Sequence, residues 1–174
     1  MNFDLNKSIS VLENTPMVLK SLLSGLSEEW THNNEGPETW SPFDVVGHLV
    51  HGERTDWIPR IFIIMNDSEE KTFTPFDRFA QFEESKGKTL EDLLNEFETL
   101  RDQNLQQLKS FEFTESEFQR KGIHPELGEV TLSQVIATWV THDLGHIAQI
   151  NRVMAKQYKN EVGPWTAYIS ILSK

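Results

Sequence analysis

The chain has 174 residues, 37% of them apolar and 10% aromatic, which fits one packed domain and excludes a disordered or fibrous chain. Asp and Glu number 27 against 16 Lys and Arg, a net charge of −11 that repels phosphate backbones and anionic lipid, so neither nucleic acid nor membrane is an expected partner. There is no cysteine, which excludes disulfides, protein thiolates and Cys-ligated zinc together; any metal must be held by His, Asp or Glu.

Leu5, Ile9 and Leu12 recur at helical spacing and Leu19, Leu22 and Leu23 continue the stripe, predicting a first helix over 4–25. Thr15-Pro16 reads as an N-cap with a first-turn proline, so a break is expected there. The polar stretch Thr31 to Thr39, with Gly36-Pro37, is a loop. Ser41-Pro42-Phe43-Asp44 supplies a cap, a first-turn Pro and an acid three residues on, opening a second helix over 42–65. Its apolar face is Val45, Val46, Leu49, Val50, Trp57, Ile61 and Ile64, and Pro59 should kink or shorten it. Residues 66–88 hold no lasting period and read as an irregular excursion.

Thr89-Leu90-Glu91-Asp92 begins a third helix over 89–110, with Leu93, Leu94, Phe97, Leu100, Leu105 and Leu108 as its stripe. Gly122, Pro125 and Gly128 make 111–130 a loop or small hairpin. The capping box Thr131-Leu132-Ser133-Gln134 opens a fourth helix over 131–157, and WTAYISIL after Gly163-Pro164 is a short apolar tail. Four amphipathic helices without a strand series predict an all-α bundle, one domain over 1–174. No run of eighteen apolar residues occurs, and MNFDLNKSIS lacks a basic start followed by an apolar core, so a cytoplasmic protein is expected.

His142 and His146 are four apart on the fourth helix, one above the other, and can grip one ion. On a helical wheel they sit at the edge of the stripe of Leu132, Val135, Trp139 and Val153, so they should point into the bundle. A third ligand must come from elsewhere; His48 and His51, one turn into the capped second helix, are candidates. Core histidines satisfied by hydrogen bonds alone are the competing reading of the same spacing. Asp143 falls on the apolar side, where an unpaired carboxylate costs several kcal/mol. Two partners fit it: a ligand imidazole or backbone amide that it orients at a metal site, or a buried ion pair with Arg54 or Arg60.

His142-Asp143-Leu144-Gly145-His146 imitates the H-E-x-x-H of metalloproteases, but the shorter Asp misplaces the general base, which argues against a protease. Glu53, Asp56 and Arg60 read as a solvated or ion-paired face, although Glu53 lies on the apolar side and is a candidate catalytic carboxylate. Trp40, Trp57, Trp139 and Trp165 lie near the motifs and are candidates to wall an apolar pocket.

Three stretches resemble the DinB/YfiT-like superfamily: Trp40-Ser41-Pro42 leading to Gly47-His48-Leu49, the run Thr141-His142-Asp143-Leu144-Gly145-His146-Ile147-Ala148-Gln149, and Val162-Gly163-Pro164-Trp165-Thr166-Ala167-Tyr168. Their order and separations fit that family over nearly the whole chain. The resemblance implies an up-down-down-up four-helix bundle with a divalent ion, zinc or nickel, between helices, held by His48, His142 and His146. His51 matches none of the family's ligands. It further implies a homodimer, and a metal-dependent enzyme acting on a small-molecule electrophile by hydrolysis or by transfer from a low-molecular-weight thiol. The alternative is a non-catalytic metal- or small-ligand-binding bundle.

Three neutral imidazoles leave an ion its full charge and open positions. Water there is deprotonated near neutral pH, and a thiol likewise; since the chain has no Cys, a thiol nucleophile would arrive as a cosubstrate. A fourth protein ligand such as Glu53 or His51 would instead mark a closed, structural site.

Overall fold

Three capping boxes set three of the long helices. Ser41 with Asp44, Thr89 with Asp92 and Thr131 with Gln134 each exchange side-chain and backbone hydrogen bonds, satisfying amide groups that a helix start leaves free. In the computed structural model, which describes residues 1–173, the helices are α1 (Leu5–Leu23), α2 (Glu28–His32), α3 (Pro42–Thr55), α4 (Trp57–Met65), α5 (Ala80–Glu84), α6 (Leu90–Ser110) and α7 (Leu132–Gln157). The predicted second helix is α3 plus α4, broken at Asp56. Pro59 then falls in the first turn of α4, where its missing N–H costs nothing.

Ion pairs Lys20–Glu98 and Lys109–Glu13 run α1 antiparallel to α6. Ile9 and Leu12 share one core cluster with Leu132 and Val135, whereas Leu19 and Leu23 share another with Ile150, so α1 and α7 are parallel. Val45, Val46 and Leu49 lie with Leu93, Leu94 and Phe97, and Ile61 and Ile64 with Leu105 and Leu108, making α3/α4 parallel to α6. The result is an up-down-down-up four-helix bundle.

Residues 111–130 include the hairpin β1 (Lys121–His124) and β2 (Gly128–Thr131), antiparallel with Lys121 opposite Thr131. The 66–88 excursion is better anchored than its lack of period suggests. Thr72 bridges Ile123, Phe73 is buried, and α5 packs on α3. Gly47 permits that packing: a Cβ there would lie 2.5 Å from Ser85 Oγ. The tail forms two short 3-10 turns, of which Leu172 is buried. Among the described residues no helix is long and apolar enough to cross a membrane.

The break expected at Thr15-Pro16 does not occur; α1 runs through both residues. Proline removes the N–H that would bond the carbonyl of Leu12. Here the carbonyl instead accepts from Nη1 of the buried Arg101 at 2.8 Å. A residue on another helix fills the gap, a partner that local sequence does not reveal.

Candidate metal centre

His48 comes from the second turn of α3, while His142 and His146 come from one face of α7, which runs antiparallel beside it. Their Nε2 atoms converge: His48 to His142 is 3.1 Å and His142 to His146 is 3.1 Å. Metal–nitrogen bonds of about 2.0–2.1 Å in tetrahedral geometry place ligand nitrogens about 3.3–3.4 Å apart. Two of the spacings are therefore close to those of a shared ion, and all three ligand nitrogens lie within 4.8 Å of one another. Nδ1 of His146 donates to Oε1 of Gln149 at 2.8 Å, which leaves its Nε2 lone pair facing the cluster. Nδ1 of His48 and of His142 are buried without a partner.

Burial, and then the neighbouring imidazoles, press His48 down to about 3 and His142 to about 2; burial also lowers His146. The three rings are thus neutral, the form in which imidazole binds metal. His51 is not part of the cluster. Its Nδ1 lies 3.0 Å from Oε1 of Glu84 on α5, and its Nε2 faces Thr55.

Arg101, 1% exposed, organises the carboxylates behind the histidines. Its Nη1 and Nη2 donate to Asp143 at 2.7 and 3.1 Å, and Nη2 donates to Oε1 of Glu53 at 2.8 Å. Burial opposes its charge, but the Glu53 and Asp143 carboxylates outweigh that and hold its proton more tightly than usual. Asp143 therefore sits in a buried ion pair, as one sequence expectation had it, but with Arg101; Arg54 pairs with Glu84 and Glu96, and Arg60 with Asp56. Asp143 makes no hydrogen bond to an imidazole.

Glu53 also accepts from Nε1 of Trp139 at 2.9 Å and from Nδ2 of Asn104 at 3.0 Å. With both oxygens engaged away from the cavity, it is placed as a strut and not as an acid or base. Sequence reasoning missed Arg101, although Phe97, Arg101, Leu105 and Leu108 recur at helical spacing and put an arginine in an otherwise apolar stripe.

A cavity of about 560 Å³ opens over the three histidines, lined also by Trp40, Asp56, Trp57, Arg60, Phe76, Arg78 and His124. Trp40 stands 4.8 Å from the His48 ring, and Trp57 stands 5.1 Å from that of His142. Of the four candidate tryptophans these two wall the cavity. Trp139 stacks behind Trp57 at 5.7 Å, and Trp165 is exposed on the tail. Burial raises Asp56 to about 6 against the opposing charge of Arg60, whose Nη2 lies 2.6 Å from Oδ1.

A family model described as the DinB superfamily matches residues 12–150, most of the chain and all three histidines. The chain belongs to the DinB superfamily. Among solved structures, YfiT from Bacillus subtilis is similar at 24% identity and a TM-score of 0.74, over 88% of this chain and 87% of that one. It is described as a probable metal-dependent hydrolase with an unusual four-helix bundle topology; the likeness shows the shared fold. No protein of curated function matches the chain. In this DinB-superfamily chain the three histidines form a group able to hold a metal ion, with no Asp, Glu or further His joining them among the described residues.

Proposed function

We propose that this protein is a metal-dependent enzyme that acts on a small electrophilic molecule, using a divalent ion, zinc or nickel, held by His48, His142 and His146. The observation that carries this reading is the donor set. Three neutral imidazoles converge beneath an open cavity, and the two residues that would have closed the site, Glu53 and His51, are tied elsewhere. A structural site normally fills its fourth position from the protein, whereas a catalytic one leaves it to water or substrate. An ion bound there supplies a Lewis-acidic centre at which water, or a thiol cosubstrate, loses its proton near neutral pH.

The protein's own residues do the rest. Gln149 fixes the tautomer of His146, the Arg101 cluster locks α3, α6 and α7 in the register that brings the imidazoles together, and Trp40, Trp57 and Phe76 limit water at the site. Asp56, on the cavity wall and about half protonated at pH 6, would serve as the proton donor to a leaving group. The test is a screen of esters, amides and thiol-plus-electrophile pairs with metal-loaded protein, run beside His142→Ala. Turnover in one class that disappears in the variant is expected; no turnover in any class would return the molecule to a binding role.

A further inference from the structure

The cavity above the histidines is lined by hydrogen-bond donors of a particular kind. Arg60 of α4 gives only Nη2 to Asp56, and its Nε is buried with no acceptor. Arg78, in the stretch between α4 and α5, lines the same cavity, and its guanidinium makes no hydrogen bond or ion pair among the described residues. Lys71 and Lys159 also lack a carboxylate partner among the described residues, but of these cations Arg78 alone lines the cavity. Arg78 is also close enough for its charge to disfavour protonation of His48.

His124, at the hairpin end, accepts at Nδ1 from the backbone N–H groups of Glu126 and Leu127, both 3.2 Å away. Its neutral ring therefore carries its proton on Nε2, another donor. Asp56 is engaged by Arg60, leaving exposed Glu126 as the unpaired carboxylate of the lining among the described residues. Guanidinium groups present paired donors that match the two oxygens of a carboxylate or phosphate.

We propose that the cavity takes a small organic oxyanion: a substrate whose carboxylate or phosphate is held by Arg78, Arg60 and His124 while its reacting group lies over the three histidines. This deepens the metal-dependent reading and rests on it for the reacting end only. Arg78 is then a specificity-determining residue. It is exposed, so its replacement should leave the fold intact.

The test uses succinate, inorganic phosphate and the neutral succinamide as probes, titrated calorimetrically into zinc-loaded and metal-free protein, wild type against Arg78→Ala and Arg78→Lys. The expected result is binding of an anion but not of succinamide, weakened ten-fold or more in Arg78→Ala, partly restored in Arg78→Lys, with metal stoichiometry unchanged. Succinate against phosphate tells a carboxylate site from a phosphate site. Equal anion affinity in wild type and Arg78→Ala, equal binding of succinamide, or no anion binding at millimolar concentration would overturn the proposal. If the protein takes up no metal, the metal reading fails by itself, and the Arg78 dependence in metal-free protein still decides this one.

Discussion

Replacing Arg101 with Met keeps the side chain's approximate length and apolar stem but removes every donor at the centre of the bundle. Asp143 then loses both of its guanidinium bonds, Glu53 keeps only Trp139 and Asn104, and the Leu12 carbonyl, already denied a partner by Pro16, is orphaned. Breaking a buried ion pair from one side costs about 3–5 kcal/mol, and an unsatisfied buried carbonyl adds about 1–3 kcal/mol. A domain of this size holds about 5–15 kcal/mol in total, so Arg101→Met should be severely destabilised or unfolded. Urea denaturation of metal-free protein measures this. A companion variant, Glu53→Gln, Asp143→Asn and Arg101→Met together, removes the stranded charges and should recover a large part of the loss. A loss below about 1 kcal/mol in Arg101→Met, or no recovery in the triple variant, would refute the account of the cluster.

His51→Ala should change metal affinity less than three-fold by calorimetry, because His51 pairs with Glu84 outside the cluster; a large loss would place it among the ligands. The stability of metal-free protein should fall as pH drops below 6.5. His48 and His142 are held far below their unfolded value, so the unfolded chain binds more protons between about 6 and 3. Asp56, raised to about 6, works in the opposite direction between about 4 and 6 and offsets roughly one of those two protons, leaving a net slope of about 1.4 kcal/mol per pH unit in that range. Thermal melts across this range should show the fall, and a flat profile would contradict the burial of the imidazoles.

Elements written in local chemistry were legible in the sequence. The caps at Ser41, Thr89 and Thr131 are short-range motifs, and the apolar stripes between them set the faces that pack, so the bundle followed. His142 and His146 share a face by helical geometry alone, whereas His48 required the resemblance to choose it over His51. What separates those two is Glu84 on α5, an element with no periodic signal. Thr15-Pro16 misled because the compensation for the proline lies on α6, in Arg101. Asp143 visibly needed a partner, but its neighbours in sequence offered Arg54 and Arg60, and only the packed bundle shows which arginine reaches it. The cover of the cavity by Phe76 and Arg78 belongs to a segment whose shape is set by tertiary contacts such as Phe73 beneath Gly122.

The central claim is that three imidazoles hold one divalent ion. Protein purified without an affinity tag, stripped by chelator and titrated with zinc or nickel, should bind one equivalent per chain, with at most about one proton released at pH 7, from water at the ion, because the rings are already neutral. His146→Ala, which leaves two imidazoles on the site, should lose stoichiometric binding while keeping the helical spectrum of the wild type. Undiminished affinity in that variant, or no binding by the wild type, would contradict the claim.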